Sequence, residues 1–76
     1  MNMKKLYTYL LRSEDYNVVT MEEDVIKETL FSYVTRTRTY RKREIGKVIK
    51  VVKGSLTDCY YLSLEKLDDP FSVFGN

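Results

Sequence analysis

Residues 58–66, DCYYLSLEK, alternate apolar and polar side chains with a period of two, the repeat of a half-buried β-strand. Tyr60, Leu62 and Leu64 fall on the inward face, and Tyr61, Ser63 and Glu65 on the outward one. A lone strand leaves its backbone donors and acceptors open on both sides, so this segment obliges the rest of the chain to supply partners. Asp68-Asp69-Pro70 stops it, because proline cannot continue a central ladder.

A first partner lies at the start. Residues 4–12, KKLYTYLLR, read as a strand with Tyr7, Tyr9 and Leu11 on one face and Leu6, Thr8 and Leu10 on the other. Ser13-Glu14-Asp15 is a turn cluster of residues that bond their own backbone. Residues 16–21, YNVVTM, then resume β-prone residues, which makes a hairpin.

Residues 20–34 support two readings. Thr20-Met21-Glu22-Glu23 has the spacing of a helix capping box, and Met21, Val25, Thr29, Leu30, Tyr33 and Val34 recur at helical intervals. The same segment is rich in β-branched and aromatic residues, and 26–28 and 31–33 also read as two short strands meeting at Thr29-Leu30.

The most distinctive chemistry runs from Tyr33 to Lys53. This stretch holds eight of the 13 basic residues against one acid, Glu44. Over 33–41 Thr and Arg alternate, which as a strand sends Thr35, Thr37 and Thr39 to one face and Arg36, Arg38 and Tyr40 to the other. From Arg41 the period changes: Ile45, Val48, Ile49 and Val52 form the stripe of a short helix near 42–52 that anchors to the core through Ile45, Val48 and Ile49. Gly46 inside that stripe costs about 1 kcal/mol relative to Ala, leaving an irregular turn followed by a strand as the other reading. Arg36, Arg38, Arg41, Lys42, Arg43 and Lys47, with Tyr40 to stack, make a basic surface suited to an anionic partner, since guanidinium groups bond phosphate bidentately. The competing reading is internal: Glu22, Glu23 and Asp24 lie upstream in a segment dominated by acids, and the cations can answer those instead.

Several functions are disfavoured. A 76-residue chain buries only about 60% of its unfolded surface and supports one small core, hence one domain over 1–76 with a tail at 68–76. There is no His, which removes the commonest acid–base group and zinc ligand, and no set of residues has metal, cofactor or catalytic spacing. Cys59 stands alone, so no internal disulfide is expected, and no apolar run approaches a membrane span or a signal-peptide core. A cytoplasmic binding protein without enzymatic activity is the expectation. The apolar tail residues Phe71, Val73 and Phe74 are candidates for a protein interface or for covering the core, and unpaired strand edges leave a homodimer open.

Taken together, Glu22-Glu23, Lys27-Glu28-Thr29, Ser32-Tyr33, Ile45-Gly46-Lys47-Val48 and Tyr60-Tyr61-Leu62 give the chain an order of segments. That order resembles short β-rich proteins carried by phages and mobile elements of Gram-positive bacteria. The resemblance favours strands over 20–34 and implies a host-cytoplasmic role against bacterial immunity. The expected fold is therefore mainly β, a small antiparallel sheet or partly open barrel of about four to five strands. The alternative is α+β, with a helix at 20–34 on a three- to four-stranded sheet. The expected function is blocking of an anionic target through the basic face. That target would be nucleic acid, a nucleotide, or the acidic surface of a nucleic-acid-processing defence complex such as a CRISPR effector. The alternative is a protein–protein inhibitor or homo-oligomeric module using sheet edges and the aromatic tail.

Overall fold

The first hairpin forms as its sequence pattern requires. In a computed structural model describing residues 4–75, β1 (Lys5–Leu11) pairs antiparallel with β2 (Val18–Asp24), Tyr9 opposite Thr20. Asp15 Oδ1 accepts from the Asn17 N–H in the turn, and Tyr16 takes the left-handed conformation at φ 57°. Two short strands follow, β3 (Lys27–Glu28) and β4 (Ser32–Val34), then β5 (Thr39–Arg41), β6 (Val48–Lys53) and β7 (Leu56–Ser63).

Two antiparallel sheets result, in the orders β2-β1-β7-β6 and β3-β4-β5, and neither closes into a barrel. The protein is thus mainly β, and the β reading of 20–34 holds over the helical one. The β-branched and aromatic content of that segment outweighs its capping-box spacing, because each strand finds a neighbour.

Two local expectations are corrected. The Thr/Arg run is not one continuous strand: β4 ends at Val34, β5 begins at Thr39, and Thr35–Arg38 turn between them, closed by the Thr35 N–H on the Arg38 carbonyl at 2.9 Å. The stripe over 42–52 is not a helix. A single 3-10 turn spans Lys42–Glu44, Ile45 bridges to Leu62, and Gly46 turns the chain at φ 81° before β6 begins. The Gly46 N–H donates to the Leu62 carbonyl at 2.8 Å, so the glycine fixes the change of direction into the strand. Ile45 packs on the core and Ile49 is half-buried, whereas Val48 is exposed and anchors nothing.

The two sheets share a core of Leu6, Val25, Tyr33, Tyr40 and Leu62, with Ile45, Tyr60 and Leu64 packed against it. Leu6 and Leu62 are fully enclosed, each contributing about 1.5–3 kcal/mol by burial. The opposite face of β1 is covered as well. Tyr9 is buried there, and its hydroxyl accepts from the Leu67 N–H at 2.8 Å as the chain folds back after β7. A closing 3-10 turn, Pro70–Val73, is capped by Asp69 Oδ1, which accepts from the Phe71 N–H.

Candidate functional site

The β3–β4 connection is a tight hairpin, with the Thr29 N–H on the Ser32 carbonyl at 2.9 Å, so Leu30 and Phe31 form its apex. Tight turns ordinarily take Gly, Asn, Asp or Ser, which suit the backbone or bond to it. Here two large apolar side chains stand 79% and 74% exposed, gaining almost nothing from folding. Such an apex signals a contact to be made.

Cations surround it. Arg41 on β5 lies opposite Ser32, and the Lys42 N–H donates to the Phe31 carbonyl at 2.8 Å, fixing the apex against the basic segment. Phe31, Ser32, Arg41, Lys42 and Arg43 together line a cleft of about 270 Å³. Among the described residues, Arg41 and Arg43 make no ion pair. Lys42 is different. It bonds Glu28 Oε2 and sits 5.1 Å from the Tyr33 ring centroid, while Lys4 holds Glu28 Oε1 at 2.8 Å. Lys4 and Lys42 together hold the Glu28 carboxyl down to about 2, far below its usual range.

The other predicted cations are drawn away from this cleft. In the Thr35–Arg38 turn, both threonine hydroxyls reach Glu23 Oε1, Thr35 at 2.9 Å and Thr37 closer still, and the Tyr40 hydroxyl donates to Glu23 Oε2 at 2.6 Å. Thr35 has one hydroxyl proton to share between Glu23 and the Arg38 carbonyl, which also lies within reach. Burial pushes the Glu23 carboxyl up, but the bonds from Thr37, Tyr40 and Thr35 and the charge of Arg38 outweigh it and leave the pKa lowered. Arg38 stacks over Tyr40, its guanidinium carbon 5.9 Å from the ring centroid. Arg36 lies by Asp24, whose carboxyl Lys5 chiefly holds down. The acidic segment is thus the immediate neighbour of Arg36 and Arg38, while Arg41 and Arg43 face solvent.

Tyr40 belongs to the core, with its ring buried and its hydroxyl engaged. Lys47 is exposed just before β6. In the tail, Val73 and Phe74 are half-buried and Phe71 lies 6.2 Å from the Tyr16 ring, partly exposed. The sequence places Leu30 on a helical stripe or where two short strands meet, and Phe31 at the start of the second strand, without marking either as a contact residue, although two large apolar residues at such a junction are a visible sign. Asp58 has a structural task, accepting from the Ser13 N–H at 3.0 Å and the Ser13 hydroxyl at 3.1 Å across the sheet end.

Among the described residues no three His, Cys, Asp or Glu side chains converge as a metal site, and no helix is long and apolar enough to cross a membrane. Comparison with protein-family models, with curated proteins and with solved structures found no match for the chain.

Proposed function

We propose that this protein is a non-enzymatic binder that captures and blocks single-stranded nucleic acid or its anionic backbone within a larger complex. Its contact surface is the Leu30-Phe31 apex flanked by Arg41 and Arg43. The observation carrying this reading is the exposed phenylalanine beside two cations that make no ion pair among the described residues, bordering an open cleft. An exposed ring offers a base a stacking surface, and neighbouring guanidinium groups meet the phosphates on either side. The likeness to small phage proteins makes a nucleic-acid-processing defence complex in the host cytoplasm the setting for such a blocker.

Fluorescence anisotropy with a labelled single-stranded oligonucleotide over a salt series tests this. Affinity should fall linearly on a log–log plot, and Arg41→Glu should flatten the slope by about 0.7 for each lost phosphate contact. Affinity unchanged by salt and by Arg41→Glu would instead favour an acidic or apolar protein surface as the target.

A further inference from the structure

The four-stranded sheet ends in two strands of opposite charge. β2 carries Glu22, Glu23 and Asp24 on one border, and β6 carries Lys50 and Lys53, with Lys47 just before it, on the other. Both strands are at least six residues long, and among the described residues neither has a backbone partner on its outer side. Long open edges are what soluble β proteins ordinarily shorten, cover or twist away. The small sheet does shorten its own, to two or three residues each. The large sheet does not.

We propose that β6 of one copy pairs with β2 of a second copy, extending the four-stranded sheet from molecule to molecule. Strand direction permits it. The sheet alternates throughout, so β6 runs parallel to β1 and opposite to β2. A second copy in the same orientation therefore presents its β2 antiparallel to β6, and the alternation continues without a break.

Charge selects this pairing over the symmetrical ones. β6 against β6 centred on Lys50 sets Lys50 against Lys50 and Lys47 against Lys53, which destabilises a ladder, and β2 against β2 sets its carboxylates opposite one another or opposite Val18–Thr20, never opposite a cation. Only the mixed pairing is complementary. The face pattern then limits the register, since a slip of one residue puts every side chain on the wrong face. Two registers that keep the faces give Lys50 a carboxylate, Glu22 or Asp24, and the first pairs all of β6 with β2, setting Lys50 opposite Glu22, Val51 opposite Met21 and Val52 opposite Thr20. It covers Val52 and Met21, which are 72% and 50% exposed in the single chain.

The association is head-to-tail, and each added copy leaves one acidic and one basic edge free. It does not stop at a dimer. Adjacent strands are rotated by roughly 20–25°, so each four-stranded copy turns the next by roughly a quarter turn, which gives an open helical array.

Light scattering against protein concentration at low salt tests the proposal. The mass of the parent protein should climb past two copies, while Lys50→Glu and Glu22→Lys should each remain monomeric. An equimolar mixture of the two variants, and the double variant E22K/K50E, should assemble again, because opposite charges then meet across every junction. Independently of those charges, T20C/V52C in a Cys59→Ser background should oxidise to a ladder of disulfide-linked species beyond the dimer. A parent that stays monomeric or halts at two copies overturns the proposal, as does either single-charge variant that assembles like the parent. So does an oxidised double-cysteine protein with no ladder.

Discussion

The Tyr40 hydroxyl donates to Glu23 Oε2 at 2.6 Å, joining β5 of the small sheet to β2 of the large one. Thr35 and Thr37 meet the other oxygen of the same carboxylate, so a single side chain closes the turn and connects the sheets. Removing the acceptor should therefore hurt more than removing one donor. Glu23→Ala leaves the Tyr40 hydroxyl without its acceptor, at about 1–3 kcal/mol, and also takes the carboxylate from Thr37 and from Thr35, which keeps only the Arg38 carbonyl. Tyr40→Phe removes one donor and leaves the carboxylate its threonines, for about 1 kcal/mol. Urea midpoints of the two variants should separate in that order, and equal midpoints would mean that Glu23 does not hold the turn.

The same pair sets a behaviour in alkali. Burial, then the bond to Glu23 and its negative charge, push the Tyr40 phenol up to about 12 from an ordinary 10.0. A raised pKa means the folded state holds its proton longer than the unfolded chain. The resulting stability is complete below pH 10 and is lost as the pH rises towards 12. Tyrosinate absorbance should show one late-titrating phenol, absent in Tyr40→Phe, and the variant should lose less stability than the parent over that window.

In acid the sign reverses. Glu28 is held at about 2 by hydrogen bonds from Lys4 and Lys42, against 4.5 for the free group. The folded state binds its proton later than the unfolded chain, so this stability is present above pH 4.5 and fades as the pH falls towards 2. Glu23 is shifted in the same direction and adds to the slope. Glu28→Gln should flatten stability against pH in this window without abolishing it, as followed by denaturant titration. An unchanged slope would show that the Lys4–Glu28–Lys42 contact does not persist in solution.

Much of the sheet structure was legible because period-two patterns report burial directly. Leu6 and Tyr9 sit on opposite faces of β1 and are both buried, and Leu62 lies inward on β7. The segment after Arg41 was harder. Ile45, Val48, Ile49 and Val52 fit a helix by spacing alone, and only the long-range bridge from Ile45 to Leu62 decides otherwise. The arginine row misleads for a related reason. A Thr/Arg alternation looks like a strand until Glu23, 12 residues before Thr35, gathers the threonine hydroxyls into a turn. Local pattern cannot announce a distant acceptor.

Gly46 separates the two readings of that segment by the sign of one substitution. In a helix, Gly46→Ala would stabilise by about 1 kcal/mol. At φ 81° an added Cβ finds space, its nearest neighbour the Tyr61 hydroxyl oxygen 4.0 Å away, but strains the backbone by about 1–2 kcal/mol. Thermal denaturation of Gly46→Ala should therefore show a loss, and a gain would return the segment to a helix.

The proposed binding apex should separate function from folding. Phe31 and Leu30 bury little, and Arg41 and Arg43 make no ion pair among the described residues, so substitutions there should alter stability by no more than about 0.5 kcal/mol. Their effect on a stacked base is far larger. Losing the ring in Phe31→Ala removes about 1–3 kcal/mol of stacking, a weakening of roughly five- to 150-fold in Kd. Arg41→Glu and Arg43→Glu should weaken binding in proportion to low salt, where phosphate contacts count most. Tyr40→Phe supplies the contrast: its ring is buried and its hydroxyl faces Glu23, so it should lower stability and leave oligonucleotide affinity unchanged. Anisotropy titrations beside urea melts on these variants measure both quantities. If Phe31→Ala binds like the parent while Tyr40→Phe loses affinity, the contact surface is not the apex and lies on the Arg38 side of the small sheet.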